Sequence, residues 1–234
     1  MKVLALSSSR AGNSAFLEPA IPHIKSFLGE GAKKLAFIPF ASAGSYEDYL
    51  HRVQQALGDF PFTIELVKGA DSDTLIESCD AIVTGGGNTF KLLHHLYQFN
   101  LIGAIRKRIK EQGIPYIGWS AGANILGATI CTTNDMPIIY PPSFEALKIF
   151  PFQINPHYQL IYTPGFNGET RDDRLAEFLT LNPQSVVIAL PEGTALLAND
   201  EEIIFKGGEC GYRFSYEAGG VEKRQIVDGQ QVER

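Results

Sequence analysis

The most constraining feature of the sequence is a short apolar run that leads into a Gly-x-Ser-x-Gly motif. The run 115–119 contains the first glycine and is followed at once by Ser120, Ala121 and Gly122. Small residues then continue with helical spacing over 121–128. This order predicts a strand, a sharp turn with a serine at its apex, and a helix, which together form a nucleophile elbow. Because such a turn holds the hydroxyl clear of the sheet, the motif indicates a serine nucleophile at position 120.

A second glycine-rich loop could complete an oxyanion hole for that serine. The N–H of Ala121, at the start of the helix that follows Ser120, would point to the place where an oxyanion forms. The loop Gly85-Gly86-Gly87-Asn88-Thr89 also lies between a predicted strand and a predicted helix. Consecutive glycines let the backbone approach a ligand and leave N–H groups free to donate. The loop could instead cradle a phosphate or form a plain tight turn, but it is not a Walker A motif.

Short apolar segments alternate with helical patterns along most of the chain. The predicted strands are Lys2–Leu6, 35–40, 62–67, Ala81–Thr84, 116–119 and 186–190. The predicted helices are 16–28, 46–57, 75–79, 90–97, 101–112 and 170–179. This alternation implies right-handed crossovers and a doubly wound, mainly parallel α/β sheet. Further segments at Ala195–Ala198, 202–205 and 212–215, with glycine-rich turns, predict an antiparallel C-terminal edge.

The chain is long enough to bury a full core. The alternation of predicted strands and helices is interrupted only after the elbow helix. The segment 131–164 is rich in Pro, Asn and Tyr and is expected to form ordered loops over the sheet, which in a compact domain are usually functional. With 234 residues, 44% of them hydrophobic, and no internal repeat or linker, one domain spanning 1–234 is expected.

Composition argues against several classes of partner. A net charge of -6 at pH 7 predicts no nucleic-acid partner. No apolar run is long enough to span a bilayer and the start of the chain lacks a signal-peptide layout, so we expect no membrane association and a cytoplasmic protein. The three cysteines are scattered without a Cys-x-x-Cys pair, which predicts reduced thiols and no metal or cofactor site.

His157 is the best candidate for the general base that an activated serine needs. It is the one histidine that follows Ser120, and it lies in a loop directly after Pro156. The other four histidines fall in predicted helices, where histidines are most often surface residues. The alternative is a loop histidine that bonds only to backbone.

Two carboxylates could orient His157. Glu192 follows the predicted strand 186–190, at a carboxyl end where open α/β sheets place their ligands. Asp135 lies in the loop region after the elbow helix. Either could instead be a turn carboxylate that caps local backbone. We favour Glu192 as the acid, because a residue at the end of a core strand is held more rigidly than one in a loop. Asp135 would then orient its loop or contact the substrate.

Arg171 opens the predicted helix that follows Gly168-Glu169-Thr170. A cation in the first turn opposes the helix dipole, which makes Arg171 a candidate functional cation, although a solvated surface arginine fits equally well. Thr170 and Asp173 predict an N-cap pair at this helix. Similarly, the polar segment 7–14 after the first strand is compatible with a phosphate loop, but a plain polar turn is the simpler interpretation.

Six motifs, in order along the chain, resemble those of the peptidase E family, the alpha-aspartyl dipeptidases among the cyanophycinase-related serine peptidases. They are the segments 85–90, 117–124, 132–137, 153–157, 168–171 and 190–193. The resemblance runs from the first strand to Phe205. It implies a flavodoxin-like or class I glutamine amidotransferase-like fold and the hydrolysis of dipeptides with an N-terminal aspartate.

The resemblance also assigns roles to single residues. The family's nucleophile and base fall on Ser120 and His157, and its acid falls on either Glu192 or Asp135. The family needs no metal or other cofactor, and its substrate is a small peptide. The sequence leaves the oligomeric state open between a monomer and a small homo-oligomer.

Contacts with the substrate follow from the same comparison. The glycine loop corresponds to oxyanion and substrate-backbone contacts, here at Gly87 and Asn88, and Arg171 lies in a matching motif, where it could bind the aspartyl carboxylate. Two alternatives remain at this stage. The first is another serine hydrolase on the same fold, such as an esterase or a cyanophycin-type peptidase, and the second is a flavodoxin-like nucleotide or flavin-binding module.

Overall fold

The computed structural model describes residues 1–29, 34–58, 60–69, 72–160, 165 and 167–233. The strands within these residues are β1 Lys2–Leu6, β2 Lys34–Ile38, β3 Thr63–Leu66, β4 Ala81–Thr84, β5 Pro115–Trp119, β6 Gln153–Asn155, β7 Val186–Ala189, β8 Ala195–Ala198, β9 Ile203–Lys206, β10 Gly211–Glu217 and β11 Gly220–Ile226. The helices are α1 Ile21–Leu28, α2 Tyr46–Ala56, α3 Ser72–Ser78, α4 Thr89–Gln98, α5 Leu101–Lys110, α6 Ala121–Asn124 and α7 Arg171–Leu181.

The main sheet contains seven strands in the order β3-β2-β4-β5-β1-β8-β9. The five strands from β3 to β1 are parallel, whereas β8 pairs antiparallel with β1 and β9 pairs antiparallel with β8. The predicted α/β fold, with a mainly parallel sheet and an antiparallel C-terminal edge, is therefore confirmed. β5, which leads to the elbow, is the central strand of the seven and lies between β4 and β1.

Both faces of the main sheet are covered, as the continuous apolar strands predict. Along β1, Val3 and Ala5 belong to a core cluster with α4 and α5, whereas Leu4 and Leu6 belong to a cluster with α1 and α2 on the opposite face. This division follows from the alternation of side chains along a strand. The helices thus fix the position of β5 from both sides.

A second sheet of four strands, in the order β11-β10-β7-β6, stands beside the main one. The segment 186–190 was expected to continue the main sheet, but β7 pairs with β6 in parallel and with β10 antiparallel instead. The segment 212–215, expected at the edge of the main sheet, lies in β10. Ile154, Ile188 and Leu190 still pack into the larger core cluster of the main sheet, and α7 covers the other face of β7.

Several predicted boundaries differ from the structure. The helix expected over 16–28 begins only at Ile21, because Leu17 has a left-handed backbone (φ 61°) that precedes a short 3-10 turn at Glu18–Ala20. The helix expected over 121–128 ends at Asn124 and continues as tighter turns. The predicted N-cap pair of α7 is confirmed, since Thr170 and Asp173 form a full capping box.

The length and the hydrophobicity of the helices determine whether one of them could cross a membrane. In the part of the chain that the structure describes, none of them combines the length and the apolar character needed to cross a bilayer. The longest, α2 and α7, contain 11 residues each.

Candidate active site

Ser120 stands at the turn between β5 and α6 in a strained conformation. Its φ of 55° and ψ of -113° are rare for a residue with a side chain. The neighbouring glycines make the turn possible: a Cβ on Gly118 would lie 2.3 Å from the carbonyl oxygen of Gly122, and one on Gly122 would lie 2.3 Å from that of Thr84. The elbow is therefore packed backbone against backbone.

The hydroxyl of Ser120 begins a chain of three polar side chains. Its Oγ lies 2.9 Å from Nε2 of His157, and Nδ1 of His157 lies 2.8 Å from Oε1 of Glu192. His157 follows β6 and Glu192 follows β7, and the parallel pairing of these strands brings the two side chains together. Both side chains are partly open to solvent, with exposed fractions of 38% and 40%. This order of groups can activate a serine hydroxyl.

The backbone of His157 is fixed by a serine of the main sheet's first loop. Ser7, which directly follows β1 and is fully buried, accepts a hydrogen bond of 2.9 Å from the N–H of His157. The same hydroxyl donates to the carbonyl of Leu190 at 2.7 Å. His157 has a φ of 52°, so its backbone is held in the left-handed region. Ser7 thus connects the backbone of His157 to both sheets.

The glycine loop after β4 lies against the elbow. Gly87 has a φ of 136°, and a Cβ there would lie 2.3 Å from the carbonyl oxygen of Ala41. Tyr49 donates a hydrogen bond of 3.1 Å to the carbonyl of Gly86 and accepts one of 2.9 Å from Nε1 of Trp119. Burial raises the pKa of Tyr49 to about 12, so its hydroxyl stays protonated. These contacts fix the loop next to Ser120.

Two backbone donors remain free at this place. Among the described residues, no acceptor is bonded to the N–H of Gly87 or of Ala121. Gly87 and Ser120 line one cavity, and Ala121 is the first residue of α6. Unpaired donors on two sides of a serine are the elements of an oxyanion hole.

Asp135 and Asn88 connect the loop after α6 to the start of α4. Asp135 accepts a hydrogen bond of 2.6 Å from the N–H of Thr89 and one of 3.1 Å from the hydroxyl of Thr133. Asn88 caps α4 through Lys91 and donates to the carbonyl of Met136 at 2.8 Å. Of the two carboxylates considered for His157, Glu192 is therefore in contact with it, whereas Asp135 binds the first turn of α4 and lines the cavity.

Arg171 lies near the site but outside the cavity as the described residues outline it. Its guanidinium donates to Oδ1 of Asn134, whose own amide donates to the carbonyl of Pro156 at 2.7 Å. Burial and the positive charge of Arg174 lower the pKa of Arg171. Among the described residues, no carboxylate forms an ion pair with this half-buried guanidinium. Arg171 is thus linked to the neighbours of His157 and Asp135 through one amide.

The cavity in front of Ser120 has a volume of about 670 Å³. Its lining also includes residues that the sequence analysis did not single out: Arg10 in the loop after β1, and Phe16, Tyr49 and Arg52, which form one wall. Only Arg10 had a signal in the sequence, since it lies in the polar segment 7–14 that we interpreted as a plain turn. Neither in this cavity nor elsewhere do the described residues include a group of three or more His, Cys, Asp or Glu side chains that could hold a metal ion.

Comparison with known proteins places this geometry in a family. The model of peptidase family S51 matches residues 3–206. Peptidase E of Shewanella sp. (strain W3-18-1) is 50% identical over 216 residues, covering 92% of this chain and 91% of that protein. Peptidase E of Haemophilus influenzae (strain ATCC 51907 / DSM 11121 / KW20 / Rd) is 50% identical over 197 residues, or 83% and 90% of the two chains.

A solved structure shows the same fold at much lower sequence identity. The crystal structure of a peptidase from an acI-B1 Actinobacterium matches with a TM-score of 0.73 and 17% identity, and the match covers 100% of this chain and 96% of the other. Together with the family match, the strained serine and its contact with His157 lead to one assignment: the chain belongs to peptidase family S51 and is a serine peptidase.

Proposed function

We propose that the protein is a dipeptidase that hydrolyses Asp-X dipeptides through an acyl-enzyme on Ser120. The observation that carries the proposal is the hydrogen-bonded order of Ser120, His157 and Glu192, with distances of 2.9 and 2.8 Å. Peptidase E is the name of the relatives that are about half identical to this chain.

His157 acts as the general base in this mechanism. Its Nε2 takes the proton of Ser120 while Oγ attacks the carbonyl carbon of the scissile peptide bond. Glu192 accepts the N–H of Nδ1, which fixes the tautomer and stabilises the imidazolium that forms. Asp135 plays no part in this transfer, because its carboxylate is bonded to the first turn of α4.

The tetrahedral intermediate is stabilised by the free N–H groups of Gly87 and Ala121. Removing one such donor typically raises the barrier by about 2.7–4 kcal/mol. His157 then gives its proton to the leaving amine, and the bond between the carbonyl carbon and that nitrogen breaks. A water molecule, deprotonated by His157, attacks the acyl-enzyme, releases aspartate and restores the hydroxyl of Ser120.

Arg171 recognises the aspartyl side chain. Its guanidinium is half-buried, and the lowered pKa of Arg171 reflects the free energy that is needed to bury a positive charge. In this conformation the guanidinium donates to the neutral side chain of Asn134. A substrate carboxylate is the stronger, bidentate acceptor for the planar guanidinium. Asp135 and Asn88 hold the loop that carries Asn134, and Asp135 faces the cavity, where its charge can bind the substrate's N-terminal ammonium.

A panel of peptides tested with active-site variants examines the proposal. Wild type is expected to hydrolyse Asp-Leu, whereas Ser120→Ala and His157→Ala each lose about 10⁴-fold or more in kcat, because the two residues act as one unit. The double variant should be no slower than either single one. The matched control is His51→Ala, which changes an exposed histidine of α2 and should leave kcat unchanged. A double variant much slower than both single ones contradicts the mechanism.

The same panel tests the specificity. Asn-Leu leaves Arg171 without an anion, which typically costs about 2–5 kcal/mol, so Asp-Leu should be strongly preferred. Arg171→Ala should lose this preference, and Arg171→Lys should restore little of it, since lysine lacks the bidentate fork. Arg174→Ala, an exposed neighbour on α7, is the control. Equal hydrolysis of Asp-Leu and Asn-Leu by wild type rules out the proposed specificity.

A further inference from the structure

We infer that Arg10 and Arg52 bind the free α-carboxylate of the substrate's second residue and so restrict the enzyme to dipeptides. This inference rests on the proposed function, because it takes the leaving group of that reaction as its ligand. It concerns residues of the cavity other than Ser120 and His157, whereas Arg171 lies outside that cavity as the described residues outline it.

The first argument is the state of the two guanidinium groups. Arg10 and Arg52 both line the cavity in front of Ser120. None of the ion pairs or hydrogen bonds found among the described residues involves either guanidinium, although Asp48 lies one helical turn before Arg52. Arg52 is held instead by aromatic rings, at 5.1 Å from the ring centre of Tyr49 and 5.9 Å from that of Phe16. Two unpaired cations therefore face the space that the substrate enters.

The second argument is the side of Ser120 on which the leaving group must lie. β5 stands between β4 and β1, so Ser120 is flanked by the glycine loop on one side and by the loop after β1 on the other. The oxyanion donor Gly87 belongs to the first side. His157, which protonates the leaving amine, is fixed to Ser7 on the second side. Arg10 belongs to the same loop as Ser7, only three residues further on.

The third argument is the chemistry of the leaving residue. In a dipeptide, the terminal carboxyl carbon is only two bonds from the scissile nitrogen, so the carboxylate must lie close to His157. A guanidinium is always charged and offers a planar fork of donors that matches a carboxylate. In a longer peptide the same position holds a neutral amide, which leaves both arginines unpaired. The enzyme thus recognises the free C-terminus of a dipeptide by its negative charge, and not only by how long a peptide the cavity can hold.

Pairs of substrates that differ only in this group test the inference. We compare kcat/KM for Asp-Leu with that for Asp-Leu carboxamide in wild type, Arg10→Gln, Arg52→Gln and the double variant. Wild type should prefer the free acid by about 100-fold, since a hydrogen bond to a charged group corresponds to about tenfold or more in affinity. Each single variant should lose about tenfold of this preference, and the double variant nearly all of it.

Two controls separate charge from general damage. Arg224→Gln removes one positive charge from the exposed hairpin of β10 and β11 and should keep the preference for the free acid. Because both cavity arginines are exposed, added salt should weaken the preference in wild type but not in the double variant. A preference that survives in the double variant, or that is absent from wild type, overturns the inference while hydrolysis of Asp-Leu leaves the proposed function standing.

Two further outcomes are distinguished by the same reagents. If the double variant loses the preference for Asp-Leu over Asn-Leu instead, the arginines bind the aspartyl side chain and the inference is wrong. If wild type hydrolyses no Asp-X dipeptide, the proposed function fails. Calorimetric binding of Asp-Leu and its carboxamide to Ser120→Ala then decides the inference without turnover: weaker binding of the carboxamide that vanishes on adding Arg10→Gln and Arg52→Gln supports it, and equal binding overturns it.

Discussion

Ser120 and His157, the proposed nucleophile and base, are held in two regions that differ in construction. Ser120 lies between a central strand and a helix of the main sheet, and the contacts that shape its turn come from glycines within two residues and from the adjacent β4. His157 is 37 residues away and Glu192 a further 35, and both are carried by loops that follow strands of the second sheet. One region is fixed by local backbone packing, and the other by pairing between distant segments.

The comparison teaches that the two halves of the site have different weaknesses. The elbow cannot accept extra atoms, because backbone carbonyls occupy the space beside its glycines. The histidine and the glutamate are partly open to solvent, and their position depends on β7 and on Ser7, which accepts a hydrogen bond from the N–H of His157 and donates one to the carbonyl of Leu190. We therefore expect substitutions in the elbow to act through steric overlap with the backbone. Substitutions around His157 and Glu192 should act by shifting these two side chains relative to Ser120.

The largest effect is expected for Gly122→Ala in the elbow. The new Cβ would lie 2.3 Å from the carbonyl oxygen of Thr84, so β4 and α6 must separate. We expect a loss of about 3 kcal/mol or more in the free energy of unfolding, together with loss of Asp-Leu hydrolysis. Denaturant unfolding measures the first quantity.

The control for this change is Gly103→Ala in the first turn of α5, where a Cβ would have no neighbour within 4 Å outside the backbone of the helix itself. It should stabilise the protein by roughly 0.5–1 kcal/mol, because alanine loses less backbone freedom on folding. Unaltered stability of Gly122→Ala would show that the elbow is looser than its contacts indicate, and would remove the contrast between the two regions.

A smaller effect is expected for Ser7→Ala, which cuts the link between the regions. The substitution leaves the N–H of His157 without its acceptor, which typically costs about 1–3 kcal/mol, and it removes one of the two hydrogen bonds to the carbonyl of Leu190, which still accepts from the N–H of Tyr158. We expect kcat to fall because His157 is no longer held against Ser120, while substrate binding changes little. Ser26→Ala on the exposed side of α1 is the control. If kcat stays at the wild-type level, the position of His157 does not depend on Ser7.

The smallest effect is expected for Asp173→Asn, in the helix that covers the second sheet. Hydrogen bonds from the hydroxyl and N–H of Thr170 lower the pKa of the Asp173 carboxyl below its ordinary value of 3.8. A lowered pKa in the folded state means that the charged carboxylate stabilises the protein above pH 3.8 and that this contribution is lost as the pH falls further. The melting temperature of the variant should therefore lie slightly below that of wild type at neutral pH and approach it in acid.

The exposed Glu177, on the same helix and outside the capping box, provides the control as Glu177→Gln. A pH-independent difference between Asp173→Asn and wild type would mean that the cap acts through shape and not through charge. Hydrogen exchange at the first turn of α7 would show whether the loosening stays within the second region.

The same contrast explains what could be predicted from the sequence. The elbow and the alternating strands were predictable because local spacing encodes them, and the main sheet has the expected fold. The second sheet was not foreseen, because β6 has only three residues and its pairing with β7 depends on segments more than 30 residues apart. Arg10 and Arg52 were missed as cavity residues for a related reason: two exposed arginines on different elements carry no sign of a shared cavity.

The division of the site between two sheets has a mechanical consequence. The bond between Ser120 and His157 is 2.9 Å long, and hydrogen bonding is lost beyond about 3.5 Å, so a slide of less than an ångström between the layers disconnects the catalytic groups. Neither layer needs to unfold for this to happen. The packing of Ile154, Ile188 and Leu190 against the main sheet therefore controls the distance between Ser120 and His157 as well as the stability of the core. The rate of peptide hydrolysis should respond to shifts between the two sheets that are too small to unfold either one.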